Sequence, residues 1–181
     1  LPWIHRMAGK TFVIKYGGSA MENPELCRQV VADIEMLKLL GIRIVLVHGG
    51  GKAINAHVKA LGLPVQFKDG LRVTDDATME AVREVLVGKV NQDLVWALNE
   101  YGHNAVGISG ADGKTLKAEQ VDPELGRVGR IREVDPSLIE TILEDGYIPV
   151  VATVGCAPDG FFNINADVAA GKIAEAMGAD K

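Results

Sequence analysis

Two short segments without a charged residue constrain the fold of this chain most strongly. Ile44–Val47 is purely aliphatic, and Ile148–Val154 is nearly as apolar. Strands of this composition are typical of a sheet that is covered on both faces. Helical spacing of apolar residues occurs between them and around them, with Pro24–Leu40 as the longest example. The order strand, glycine turn, helix and strand predicts an α/β protein with a parallel sheet and right-handed crossovers.

The same periodicities place the other elements along the chain. Strands are predicted at Thr11–Lys15, Ile42–Val47, Asn104–Ser109 and Ile148–Val154, and helices at Pro24–Leu40, Lys52–Leu61, from Thr74, at Val90–Leu98, Asp135–Glu144 and Ala166–Met177. The polar, glycine-rich stretch Gly110–Glu133 predicts a hairpin excursion. No linker interrupts residues 10–181, so we expect one lobe after an extension at residues 1–9. Since no strand follows the helix that ends at Gly178, we expect the chain to be the first part of a longer protein.

Charge and composition exclude several classes of function. The net charge is −5, from 19 basic and 24 acidic residues, which argues against a broad binding surface for nucleic acid. No apolar run approaches the ~20 residues that cross a bilayer, and the first residues lack the pattern of a secretory signal. Cys27 and Cys156 cannot form a disulfide framework. We therefore expect a cytoplasmic protein without nucleic-acid or membrane partners.

Two glycine turns follow the first two predicted strands, at Lys15–Ser19 and at His48–Lys52. Ligands of open parallel sheets bind beyond the carboxyl ends of the strands, where glycines let backbone N–H groups approach an anion. One such turn can be a plain connection between a strand and a helix. Two of them at adjacent strand ends, each with a lysine, favour a site for phosphate or carboxylate groups.

Three better-known fingerprints fail in this sequence. The dinucleotide pattern G-x-G-x-x-G is lost because Ile54 occupies the place of the third glycine, which weakens the alternative of a nicotinamide-dependent oxidoreductase. The stretch Gly107–Thr115 is one residue too long for a G-x-x-x-x-G-K-[ST] phosphate loop. His48, His57 and His103 have no Cys or Glu at metal-ligand spacing, so no metal site is predicted.

Five further polar residues are candidates for a binding site. Lys15 ends an otherwise apolar strand, where its ammonium group either reaches water or faces an anion. Arg72 precedes a helix start and is able to grip a carboxylate, although a solvated surface arginine is the plainer interpretation. Asn163, Asn165 and Asp167 lie just before or at a helix N-terminus, where Asp167 alone would be interpreted as a helix cap.

Taken together, these motifs resemble the amino-acid kinase family in its acetylglutamate branch. The resemblance spans almost the whole chain and rests on four motifs in family order: Ile14–Met21, Val47–Lys52, Gly70–Thr74 and Asn163–Asp167. The first turn, Lys-Tyr-Gly-Gly-Ser-Ala, distinguishes this branch from the aspartate, uridylate and glutamate 5-kinases of the same family.

The resemblance implies a three-layer α/β/α sandwich with an open, mainly parallel central sheet, of which this chain is the amino-terminal lobe. It also implies ATP-dependent phosphorylation of the side-chain carboxylate of N-acetyl-L-glutamate to N-acetyl-L-glutamyl 5-phosphate, the second step of arginine biosynthesis, with Mg²⁺ accompanying ATP. The alternatives are a kinase of another amino acid in the family and a lobe that binds an acylated amino acid without catalysis.

The resemblance further implies roles for nine residues of this sequence. The catalytic residues would be Lys15 and Asp167, the ATP phosphates would bind Gly17 and Gly18, and the acceptor would bind Gly50, Gly51, Arg72, Asn163 and Asn165. Asp167 would hold the lysines in place rather than abstract a proton, because the acceptor carboxylate carries none at pH 7.

The extension at residues 1–9 implies an assembly. Leu1, Trp3 and Ile4 are apolar and have no core of their own, which favours a partner surface over packing back on the lobe. The segment resembles the amino-terminal helix through which dimers of arginine-inhibited members of the branch join into hexamers. We therefore expect a homo-oligomer, a dimer or a hexamer, and L-arginine as a feedback inhibitor.

Overall fold

The computed structural model describes residues 2–102 and 104–181, with the side chains of Pro2, Trp3, Ile4 and Ser19 set aside. In its first half the elements are α1 Pro2–Met7, β1 Thr11–Tyr16, α2 Ser19–Glu22, α3 Pro24–Leu39, β2 Arg43–His48, α4 Gly51–Ala60, β3 Phe67–Lys68, β4 Leu71–Arg72, α5 Asp76–Arg83, a π-helical segment Glu84–Asn91 and α6 Gln92–Gly102. The second half comprises β5 Ala105–Ser109, β6 Leu116–Gln120, β7 Gly129–Val134, α7 Ser137–Glu144, β8 Ile148–Ala152, β9 Val154–Ala157, β10 Gly160–Asn163 and α8 Ala166–Met177.

The central sheet has four parallel strands in the order β1-β2-β8-β5. Alternate residues of β2 face opposite sides of it, because side chains alternate along a strand. Val45 and Val47 pack in a cluster with residues of α7 and α8, whereas Ile44 and Leu46 pack with residues of α3 and α6. The sheet is thus covered by helices on both faces, and the α/β fold class with a parallel central sheet is confirmed.

A second, smaller sheet has the order β10-β9-β6-β7. Its β6 and β7 are antiparallel, which confirms the hairpin excursion predicted between Gly110 and Glu133. The single strand predicted over Ile148–Val154 was wrong at its end, since β8 stops at Ala152 and Val154 begins β9 of the second sheet. Thr153 is the buried break between them, and its hydroxyl donates to the His48 carbonyl at 3.2 Å.

The last residues of the chain lie along the outer edge of β1. The Val13 N–H donates to the Lys181 carbonyl and the Asp180 N–H donates to the Thr11 carbonyl, both at 2.8 Å. Gly178 ends α8 in the left-handed conformation with φ of 59°, as a C-terminal glycine does. Among the helices of the described residues, none has the length and apolar character needed to span a membrane.

The amino-terminal extension contains the short helix α1. The side chains on which the oligomer prediction depends, those of Leu1, Trp3 and Ile4, lie outside the described residues. The role of this extension stays a prediction.

Candidate functional site

The two glycine turns meet because β1 and β2 are neighbouring parallel strands. Tyr16 at the end of β1 is in register with His48 at the end of β2, so both turns leave the sheet at the same edge. The turns border a cavity of about 260 Å³. Its lining includes all nine residues predicted for the site: Lys15, Gly17, Gly18, Gly50, Gly51, Arg72, Asn163, Asn165 and Asp167.

A lysine–aspartate ion pair lies at the mouth of this cavity. Lys15 Nζ is 3.0 Å from Asp167 Oδ1, and both side chains reach solvent, with 38% and 75% of their surface exposed. The ammonium group folds back over the first turn. Lys15 Nζ lies 3.2 Å from the position that a Cβ on Gly17 would occupy. The pair therefore places a positive charge beside the backbone of the first glycine turn.

The helix cap of α8 is Asn165 and not Asp167. Asn165 Oδ1 accepts a hydrogen bond from the Val168 N–H at 3.0 Å, which satisfies one of the free N–H groups of the helix start. The local interpretation of Asp167 as a cap was therefore wrong, and its carboxylate is left to pair with Lys15. Asn165 lines the cavity while its side-chain oxygen is already engaged in capping.

Arg72 is a buried residue and not the solvated one that its local sequence suggested. Only 6% of it is exposed, and burial lowers the pKa of its guanidinium below the usual value. Nη2 donates to Asn55 Oδ1 at 2.6 Å and to the Gly51 carbonyl at 3.3 Å, and the group lies 4.8 Å from the centre of the Phe67 ring. Its Nη1 is buried without a hydrogen-bond partner among the described residues.

Sequence reasoning missed the two residues that hold this arginine, Asn55 and Phe67. Both lie outside the four motifs, in α4 and in β3. Asn55 comes three residues after Lys52, and that spacing puts it about one helical turn away from the second glycine turn. This position on α4 was the signal available in the sequence.

The second glycine turn packs tightly against the π-helical segment. A Cβ on Gly50 would lie 2.8 Å from Leu86 Cδ2 and 3.2 Å from Val90 Cγ2, so the π-helical segment leaves no room for a side chain. Gly50 also precedes α4 without a side-chain cap, and the first N–H groups of a helix have no partner within it. These N–H groups and the positive end of the helix dipole are suited to an anion.

Asn163 is held by a loop that the motifs did not include. Its N–H donates to the Arg127 carbonyl at 2.8 Å, and the Arg127 guanidinium stacks on Phe162 at 4.0 Å from the ring centre. Arg127 Nε also donates to the Phe161 carbonyl at 2.8 Å, so one arginine fixes the end of β10. The half-buried Asn163 thereby faces the cavity from the side of the second sheet.

Metal-binding chemistry has little support in this part of the molecule. In residues 2–102 and 104–181, no group of three or more His, Cys, Asp or Glu side chains is arranged to hold a metal ion. The ring of His48 is hydrogen-bonded in the interior, and burial lowers its pKa. His57 contacts Glu84 at 2.7 Å, and His103 lies outside the described residues.

A parallel α/β sheet carries two adjacent glycine turns, a buried arginine and an exposed lysine at one edge, an arrangement suited to anionic ligands. The chain belongs to the amino acid kinase family, whose sequence profile matches residues 10–181. The family that the four motifs indicated is thereby confirmed.

Curated relatives match the chain from end to end. It is 51% identical to the chloroplastic acetylglutamate kinase of Arabidopsis thaliana and 52% identical to the acetylglutamate kinase of Caldanaerobacter subterraneus subsp. tengcongensis, in both cases over 100% of the chain. The chain spans 53% and 62% of the length of these two relatives.

The solved structure of a synthase, and not of a kinase, also shares the fold. N-acetylglutamate synthase from Neisseria gonorrhoeae, complexed with coenzyme A and N-acetyl-glutamate, matches with a TM-score of 0.82 and 28% identity. The match covers 99% of this chain and 42% of that protein.

Proposed function

We propose that the intact protein containing this chain transfers the terminal phosphoryl group of MgATP to the side-chain carboxylate of N-acetyl-L-glutamate. The products are N-acetyl-L-glutamyl 5-phosphate and ADP, and the reaction is the second step of arginine biosynthesis. Two acetylglutamate kinases with 51% and 52% identity over the whole chain support this proposal. The residues described here supply the acceptor side of the reaction and the first contacts to the transferred phosphoryl group.

The observation that carries the proposal is the unpartnered nitrogen of Arg72. A buried donor without a partner destabilises the protein by on the order of 1–3 kcal/mol, and by more when it is charged. A ligand that accepts a hydrogen bond from this donor removes that penalty, which favours its binding. Nη2 is already occupied by Asn55 and Gly51, which leaves Nη1 as the buried nitrogen without a partner on a residue that lines the cavity. We assign to it the α-carboxylate of the acceptor, with Asn163 orienting the same molecule from the opposite wall.

Lys15 would stabilise the negative charge of the transferred phosphoryl group. Catalysis of phosphoryl transfer depends mainly on positioning of the reactants and on positive charge around the migrating group. The ammonium lies beside Gly17, so it and the N–H groups of Gly17 and Gly18 face the same ligand. Asp167 holds the ammonium in place and removes no proton, since the acceptor carboxylate is already ionised at neutral pH.

Magnesium would enter with the nucleotide. Asp167 is a single exposed carboxylate engaged with Lys15, and the described residues contain no cluster of acidic groups around it. Mg²⁺ commonly takes one or two carboxylates together with substrate phosphates, and it keeps several waters. The donor set here thus fits MgATP as the substrate and not a metal held by this lobe alone.

The test is product formation by the intact protein with MgATP and three acceptors in parallel. We expect N-acetyl-L-glutamate to be phosphorylated far faster than free L-glutamate or L-aspartate, with the acyl phosphate trapped by hydroxylamine as a hydroxamate. A preference for an unacetylated amino acid would refute the assignment and move the protein to another branch of the family.

The likeness to the synthase supports a second candidate, a lobe that binds the acylated amino acid without phosphoryl transfer. That structure was obtained with N-acetyl-glutamate and shares this fold at 28% identity. Calorimetric titration of N-acetyl-L-glutamate separates the two candidates when it is combined with the product assay. Binding without any acyl phosphate would favour the second candidate.

The proposed enzyme is a cytoplasmic homo-oligomer, a dimer or a hexamer joined through residues 1–9, with L-arginine as a feedback inhibitor. The helix α1 and the apolar Leu1, Trp3 and Ile4 of the sequence support the assembly, and the free thiols of Cys27 and Cys156 support the location. Light scattering of the intact protein tests the hexamer, and a plain dimer at working concentration would contradict it. Activity that L-arginine leaves unchanged would contradict the inhibition.

A further inference from the structure

A buried amide connects three strands of the central sheet behind the second glycine turn. Asn91, the last residue of the π-helical segment, is 1% exposed. Its Nδ2 lies 2.9 Å from the Val150 carbonyl, 3.0 Å from His48 Nε2 and 3.4 Å from the Ile108 carbonyl. These three partners belong to β8, β2 and β5.

The chemistry of these partners fixes the proton on His48. Carbonyl oxygens only accept hydrogen bonds, so the atom of Asn91 that faces Val150 and Ile108 must be the amide nitrogen. An amide NH₂ only donates, so Nε2 of His48 must be the acceptor and carries no proton. The neutral ring then has its proton on Nδ1, which donates to the Gly49 carbonyl at 3.0 Å.

This bond sets the orientation of one peptide group in the turn. The carbonyl and the N–H of a trans peptide point in opposite directions. Because the Gly49 carbonyl is held toward the His48 ring, the N–H of Gly50 points away from that ring, and Gly50 itself lines the cavity. Leu86 and Val90, on the same π-helical segment as Asn91, close the space below Gly50.

A missing side chain on β5 leaves room for the amide. A Cβ on Gly107 would overlap Asn91 Oδ1, and it would also approach Gln92 Nε2 at 3.0 Å. Gly107 therefore allows Asn91 to reach the sheet. The two residues are neighbours only in the folded chain, since they belong to the π-helical segment and to β5.

We propose that Asn91 is a positioning residue for the acceptor, acting through the Nδ1–H tautomer of His48 to aim the Gly50 N–H into the site. This inference rests on the proposed function, because it assigns the acceptor to the second glycine turn. It makes Asn91 a determinant of acceptor affinity without any contact to the acceptor itself. The first glycine turn, with Lys15, is independent of it.

The test is Asn91→Ala in the intact protein, assayed for the KM of both substrates. We expect the KM for N-acetyl-L-glutamate to rise about tenfold or more, as misplaced contacts do, while the KM for MgATP stays within about twofold. The matched control is Asn99→Ala. Asn99 also bonds to β5, through the Ala105 N–H at 2.8 Å and the Ala105 carbonyl at 3.4 Å, and it is not among the residues that line the site.

A general loss of structure gives a different pattern. If Asn91→Ala raises both KM values alike, or if Asn99→Ala raises the acceptor KM as much, Asn91 is merely structural and the proposal is overturned. If Asn91→Ala does not yield folded protein, Gly107→Ala is the second variant, which keeps the Asn91 side chain but forces its amide to shift. It is then expected to raise the acceptor KM selectively, and an unchanged acceptor KM overturns the proposal.

The tautomer gives a readout that needs no activity. Nitrogen NMR of the labelled protein, with the His48 signals assigned by their loss in His48→Gln, is expected to show a protonated Nδ1 and a bare Nε2. Protonation on Nε2 would overturn the inference. Failure of the wild-type protein to bind N-acetyl-L-glutamate would refute the proposed function, whereas normal binding with an unchanged KM in Asn91→Ala would refute only this proposal.

Discussion

The two glycine turns lie at the same edge of one sheet, yet they are built in opposite ways. In the first turn Gly18 is exposed, and the charged Lys15 reaches solvent beside Asp167. The second turn is backed by the buried His48 and by Leu86 and Val90 of the π-helical segment. One turn presents a solvent-accessible charge that is paired with a carboxylate, and the other presents backbone groups packed against the interior.

Under the proposed function, this difference would separate two tasks in phosphoryl transfer. Charge that develops during the reaction is met by a long side chain, whose contribution depends on Coulombic attraction to the ligand. A substrate that must be recognised before the reaction is met by groups that packing has already oriented, which lowers the entropy cost of binding. We therefore expect changes at the first turn to lower kcat and changes at the second turn to raise the acceptor KM.

The largest effect is expected from Lys15→Ala. Removing a charge that acts mainly in the transition state should lower kcat of the intact protein by about a hundredfold or more. Acceptor binding, measured by calorimetry, should stay nearly unchanged because Lys15 and Arg72 contact different groups. An unchanged kcat would show that Lys15 is not catalytic.

Arg72→Ala is expected to act on the acceptor side. Loss of a charge-assisted bond of about 2 kcal/mol corresponds to a roughly 30-fold rise in the KM for N-acetyl-L-glutamate. Arg72→Lys should restore little, since an ammonium lacks the fork that reaches Asn55 and a ligand together. An effect limited to the KM for MgATP would place Arg72 on the nucleotide side of the site and contradict its assignment to the acceptor.

A matched pair of alanine substitutions compares the turns directly. Gly50→Ala forces a Cβ against Leu86 and Val90, which should lower the free energy of unfolding by about 1–3 kcal/mol and raise the acceptor KM. Gly18→Ala meets no neighbouring atom but must adopt a φ of +62°, which should cost about 1 kcal/mol and spare the acceptor KM. Urea unfolding and both KM values test the pair. Equal effects on the acceptor KM would contradict the division between the turns.

The smallest effect is expected from the pH dependence of the free energy of unfolding. Burial lowers the pKa of His48 below its ordinary value of 6.5, so the unfolded chain takes up this proton first as the pH falls. The stabilising effect of a neutral His48 is complete above pH 6.5 and declines below it, with a slope of at most about 1.4 kcal/mol per pH unit. The groups bonded to the ring, Asn91 and the Gly49 carbonyl, are uncharged. Urea unfolding of wild type and His48→Gln between pH 7.5 and about 5 should give a difference that shrinks with acidity, and a constant difference would contradict it.

Local patterns were sufficient for the strands of the central sheet, apart from the end of β8, and for the glycines and polar residues at the strand ends. Consecutive aliphatic residues, glycine turns and helical spacing are properties of neighbouring positions, and all nine candidate residues line one cavity. Which polar side chain meets which partner depends on distances through space. The sequence therefore did not indicate that Asn165 caps α8 in place of Asp167, or that Asn55 holds Arg72.

Regions with unusual backbone geometry also escaped prediction. The apolar spacing around Val85 and Val90 is compatible with an ordinary helix, so the π-helical hydrogen bonding of Glu84–Asn91 has no signal in that spacing. The break at Thr153 has no such signal either, since β8 and β9 are continuous in hydrophobicity but belong to different sheets.

The strand order β1-β2-β8-β5 has a consequence for the way in which this lobe is synthesised and folds. The partner of β2 on its inner side is β8, whose Val150 lies roughly a hundred residues after Leu46 in sequence. Contacts over such long loops form slowly, because the loop entropy must be lost before the contact stabilises the chain. Until β8 has left the ribosome, β2 exposes an unpaired edge, and Asn91 lacks the Val150 carbonyl that orients it. The second glycine turn is thus completed late in folding, although its glycines precede β8 by about a hundred residues in the sequence.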